Sequence, residues 1–112
     1  MKESVINKLN LIAEQYHSIA NQLSGEEVQK NNSLMVKLSK EYSRLGPVVK
    51  LFEEFRSLSD DKEAALTLSE DKDEELKILA KEELIDIEAQ LIRIEEEITP
   101  LLLSSDPRDE NN

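Results

Sequence analysis

The sequence predicts an all-α fold, a three-helix antiparallel coiled-coil-like bundle, and three observations carry that prediction. Apolar residues recur at spacings of three and four along most of the chain. No stretch alternates polar and apolar residues as a half-buried strand would. Only 4% of residues are aromatic and 35% are charged, with two Gly and three Pro among 112, a composition of the coiled-coil type. A chain of this length has room for one domain that buries roughly 60–70% of its unfolded surface.

The first helix is expected over residues 3–24. Val5, Leu9, Ile12, Tyr16, Ile19 and Leu23 succeed one another at 4, 3, 4, 3 and 4, one apolar stripe. Gly25 comes directly after the stripe, where a left-handed residue would end the helix. Residues 26–32 then read as a loop or a single turn around Val28, with Asn32 or Ser33 capping the next helix.

The second helix is expected over residues 33–69, on Leu34, Leu38, Tyr42, Leu45, Val49, Phe52 and Phe55. Gly46-Pro47 interrupts it, and a proline inside a helix costs ~3 kcal/mol through a lost hydrogen bond and a ring clash. The stripe nevertheless passes the pair without a change of phase, which predicts one long helix bent there. Its length of ~55 Å exceeds what a first helix of ~32 Å can cover.

The third helix is expected over residues 73–99 and has the cleanest pattern. Leu76, Ala80, Leu84, Ile87, Leu91, Ile94, Ile98 and Leu101 make one row, and Ile78, Ile85 and Ile92 make a second every seven residues. Two rows widen the stripe enough to meet two partner helices. Pro100 should end or bend this helix, and 104–112 should form an open tail, a linker after a helical domain spanning 1–103. The expected core is Leu9, Ile12, Tyr16, Ile19, Leu38, Leu45, Val49, Phe52, Leu84, Ile87, Leu91 and Ile94.

Composition also removes function classes. Two isolated glycines cannot build a phosphate-cradling loop, and the longest apolar run, Leu101-Leu102-Leu103, is far short of the ~20 residues that cross a bilayer. The absence of Cys and of a signal-peptide core points to the cytoplasm. His17 is the single imidazole and has neither a second His nor a Cys beside it, so no metal site is expected. The run Asp71 to Glu75 lacks the glycine and spacing of a calcium loop, and a helix start explains its acids. Carboxylate pairs such as Glu82-Glu83 read as a solvated face, because catalysis needs environments that drive two pKa values apart. No active site, cofactor or small-molecule ligand is expected.

Charge is uneven along the chain. Residues 1–50 carry seven Lys/Arg and five Asp/Glu, net +2, while residues 51–112 carry seven against twenty, net −13. Nucleic-acid contact would therefore fall in the first half. Lys37, Lys40 and Arg44 share one helix face, suited to RNA or an acidic protein, or else to pairing with acids of the third helix.

Three segments taken in order give a family resemblance. Met1-Lys2 leads into Ile6-Asn7-Lys8-Leu9; Leu38-Ser39-Lys40-Glu41-Tyr42-Ser43-Arg44-Leu45-Gly46-Pro47-Val48-Val49 comes next; and Leu101 to Asn112 reads LLLSSDPRDENN. Together they resemble the N-terminal part of a bacterial class I peptide chain release factor, of the type that reads UAA and UAG. The resemblance covers the whole chain. It implies a non-catalytic helical domain in translation termination, reaching toward the GTPase-associated region of the large ribosomal subunit and lying near the class II release factor GTPase. In that family, peptidyl-tRNA hydrolysis depends on Gly-Gly-Gln and codon reading on Pro-x-Thr. Gly25 and Gly46 stand alone here, and the prolines are followed at the second position by Val49, Leu102 and Asp109, so neither function can be placed on this chain. The resemblance thus implies a domain fragment.

The alternatives are a free-standing coiled-coil adaptor or chaperone-like protein, and an acidic helical enzyme subunit. A reading frame that continues past Asn112 into a Gly-Gly-Gln sequence distinguishes the first reading from both. Two loops are candidate partner contacts: residues 25–33 with Lys30, suited to RNA, and residues 69–75 with Asp71, Asp73 and Glu74, suited to a basic ribosomal protein. The second has more weight, since it ends the longer hairpin. Apolar residues near Leu58, Leu66, Leu68 and Leu101 to Leu103 predict weak self-association of the isolated domain.

Overall fold

The structure, a computed structural model, describes residues 1–105, with side chains through Leu103. It holds four helices: α1 (Glu3–Leu23), α2 (Glu26–Lys30), α3 (Asn32–Leu68) and α4 (Glu74–Ser105). Among the described residues there is no strand, so the all-α class stands. The chain packs as two compact units, one of residues 1–50 with the end of α4 from Leu101, the other of residues 51–100.

In the first unit the α1 stripe buries Leu9, Ile12 and Ile19, with Val28 of α2 and Leu45, Val48 and Val49 of α3. Tyr16, expected in the core, is only half-buried; its ring stacks on Tyr42 with centroids 4.4 Å apart and planes 12° from parallel. Gly46 lies beneath the same tyrosine; a Cβ there would stand 3.8 Å from the Tyr16 ring, an ordinary contact.

Both caps between α1 and α3 differ from expectation. Gly25 is extended, at φ −83° and ψ 150°, rather than left-handed, and serves as the N-terminal boundary of α2. Its N–H donates to the Gln22 carbonyl at 3.0 Å, and a Cβ would come within 3.3 Å of that oxygen. Close approach, not positive φ, is what this glycine permits. The cap of α3 falls one residue earlier than expected: Asn31 Oδ1 accepts the Leu34 N–H at 3.2 Å. Asn31 thereby closes α2 and opens α3 at once.

α3 runs unbroken through Gly46-Pro47. A pre-proline Cβ is what normally drives the preceding residue out of the α region, and Gly46 has none. Val48 and Val49, buried just beyond, tie the downstream turn to the core. Pro47 itself is exposed, and its missing N–H leaves the Ser43 carbonyl without its helical donor. Pro47→Ala should therefore raise stability by about 1–3 kcal/mol, partly offset by a freer unfolded chain. Thermal unfolding checks this: Tm should rise by several degrees, and an unchanged Tm would contradict it.

The second unit is a hairpin of α3 from Leu51 and α4 to Pro100. Arg93 Nη2 meets Glu54 Oε2 at 3.1 Å and Lys62 Nζ meets Glu88 Oε1 at 4.0 Å. Residue numbers rise on one helix as they fall on the other, so the two run antiparallel. Phe52, Ala65, Ala80, Ile87, Ile94 and Ile98 are buried. Leu38 in the first unit and Leu84 and Leu91 here, all expected in the core, are only partly covered.

Two expectations for α4 fail. The Ile78, Ile85 and Ile92 row, expected to meet a second partner helix, is exposed. The helix does not stop at Thr99: of the two outcomes expected at Pro100 an end is excluded, and α4 continues to Ser105, past the expected tail start at Ser104. Leu102, buried one residue past Leu101, secures that last turn and offsets the bond lost at Glu96. The remainder of the expected tail, 106–112, lies outside the described residues.

Candidate functional site

Residues 69–73 connect α3 to α4 and hold the acidic candidates. α3 closes on backbone bonds from Ser69 N–H to Ala65 O at 2.9 Å and from Glu70 N–H to Thr67 O at 3.2 Å. Asp71 Oδ1 then accepts the Asp73 N–H, and Asp73 Oδ1 accepts the Glu75 N–H, each at 2.9 Å. Asp71 thus forms a side-chain turn and Asp73 is the N-cap of α4. Glu74 and Glu75 occupy the first turn, where the positive end of the helix dipole favours carboxylates. Glu74 also meets Lys77 at 3.5 Å.

The structure brings Asp71, Asp73 and Glu74 together in one exposed turn, five acids and Lys72 within six residues. Two of them, Asp71 and Asp73, also hold the turn in shape through the backbone N–H groups they accept. Lys30 belongs to the other unit, as the exposed last residue of α2, opposite in sign to Glu26 and Glu27 at that helix's start. Arg44, on the basic face of α3, pairs with Glu41 one turn back on the same helix.

Sequence reasoning passed over Arg93. Its guanidinium bridges Glu54 at 3.1 Å and Glu97 at 2.6 Å. The hydrogen bond to Glu54, opposed by partial desolvation and aided by the charges of Glu97 and Glu54, raises its pKa above the ordinary value. It stays charged at any working pH, and its bridge to Glu54 marks the register at which α3 and α4 pair. The i, i+4 spacing to Glu97 was legible, but the partner 39 residues away was not.

Among the described residues no group of three or more His, Asp or Glu side chains is placed to hold a metal ion, and no buried side-chain nitrogen or oxygen lacks a partner. No helix of the described residues is long and apolar enough to cross a membrane. What the geometry offers is an exposed acidic turn that joins the two helices of the hairpin.

A helical domain of this class agrees with the comparison to known families. The PCRF domain matches residues 12–112, nearly the whole chain, and the protein belongs to that family. This is the non-catalytic helical domain of class I-type peptide chain release factors, which act in translation termination on the ribosome. No solved structure matches the chain.

Proposed function

We propose that this domain is the N-terminal ribosome-contacting module of a bacterial UAA/UAG-reading release factor, acting in the cytoplasm. On this reading its hairpin tip approaches the GTPase-associated region of the large subunit, beside the class II release factor GTPase. The observation that carries it is the exposed turn of Asp71, Asp73 and Glu74 at the end of the α3–α4 hairpin. A carboxylate cluster on a stiff support attracts a basic ribosomal protein and repels RNA phosphates. On the same reading a linker toward a central domain follows α4, which reaches Ser105. Weak self-association of the isolated domain, through Leu66, Leu68 and Leu103, all exposed, belongs to the same reading.

The test must separate charge from the cap. Asn caps a helix about as well as Asp, so Asp71→Asn, Asp73→Asn and Glu74→Gln together remove three charges and keep the side-chain acceptors. In the full-length factor this variant should associate with stop-programmed ribosomes several-fold more slowly at low salt. Peptide release from the bound complex should be little changed, and the defect should fade as salt screens the attraction. Unchanged association, with Lys30→Glu slowing it instead, would transfer the contact to the α1–α3 connection.

A further inference from the structure

α4 carries an apolar row that its own fold does not use. Ile78, Ile85 and Ile92 are 56%, 72% and 58% exposed, while Ile87 and Ile94, each two residues beyond a member of that row, are buried. Seven-residue spacing keeps the three on one helix face over ~21 Å, drifting only ~20° per repeat. Ala89, exposed between Ile85 and Ile92, leaves room for close approach of another backbone. Such a row is one half of a coiled-coil seam.

The flanks decide what the other half must be. Positions three and four residues from these isoleucines carry Glu74, Glu75, Glu82, Glu88, Glu95 and Glu96 against the single cation Lys81. Residues 51–100 together hold seventeen Asp/Glu and six Lys/Arg. A second copy would set carboxylates against carboxylates along both edges of the seam, whereas lysine or arginine flanks would complete it. We propose that the Ile78, Ile85 and Ile92 face docks a basic amphipathic helix of another protein, with apolar residues at heptad spacing and cations on either side. This surface uses none of Asp71, Asp73 or Lys30 and meets the tip only at Glu74, so the inference is tested apart from the tip contact, at Ile85, Glu82 and Glu96.

The test titrates the 112-residue chain with two synthetic helical peptides of about three heptads. Both carry leucine on the seam; one has lysine flanks, the other glutamate. The lysine peptide should bind and shift the methyl NMR signals of Ile78, Ile85 and Ile92 ahead of those of Ile87 and Ile94. Ile85→Ser, at an exposed position, should leave Tm unchanged and weaken that binding about tenfold or more. Glu82→Gln with Glu96→Gln should flatten its salt dependence. Equal affinity in Ile85→Ser, which would mean charge attraction alone, overturns the proposal. So does equal binding of the glutamate peptide, or a dimer in sedimentation equilibrium that Ile85→Ser dissolves.

Discussion

Phe52→Ala is expected to destabilise the protein by about 3–5 kcal/mol. Phe52 is 1% exposed, and its ring stacks near Phe55 with centroids 6.4 Å apart while the Arg56 guanidinium lies 5.2 Å from its centroid. Truncation removes the transfer term of a whole aromatic ring and leaves a cavity that a rigid helix cannot collapse to fill. A chain of this size has on the order of 6–17 kcal/mol of total stability, so the loss is a large share of it. Urea unfolding should show a much lower midpoint with an unchanged slope. Leu91→Ala, at a half-buried position, should cost clearly less; equal losses would contradict the burial pattern of the hairpin.

Ile94→Asp should be more damaging still, and Ile92→Asp nearly harmless. Ile94 is fully buried and Ile92 is 58% exposed, two residues away on the same helix. A carboxylate at 94 would have to be ionised without a partner or be protonated to stay inside, a penalty on the order of 5 kcal/mol at neutral pH. Its folded-state pKa would rise above the unfolded value of ~3.9, since burial disfavours the charged form. The unfolded chain then holds fewer protons, and the penalty relative to the parent should shrink as pH falls toward ~4. Circular dichroism of both variants from pH 7 to 4 reads this directly. A cooperative, parent-like melt for Ile94→Asp at pH 7 would refute the assigned core.

The helices and their phases were legible because periodicity is a local property. Spacings of three and four place side chains on one face whatever lies opposite, so α1, the continuity of α3 through Gly46-Pro47, and the row from Ala80 to Ile98 could all be read directly. Acidic residues at 71–75 likewise announced a helix start, and Asp73 does cap α4. The cap at Asn31 was misplaced by one residue, since Asn31, Asn32 and Ser33 can all supply the acceptor and only the chain path selects among them.

Hydrophobicity could not decide which row of α4 is buried. Ile85 and Ile87 are the same residue type, and one is exposed while the other is 3% exposed. Burial depends on which helix faces each row, and that is settled by the antiparallel register that the Arg93 bridge to Glu54 records. The extent of α4 past Pro100 has the same origin: proline chemistry argues for a stop, and burial of Leu102 overrides it. The sequence by itself determined the helical class, the phase of each stripe and the acidic character of the hairpin. Only the tertiary structure decided which stripe became core and which stayed open, because a helix face is buried by its neighbour and not by its own composition.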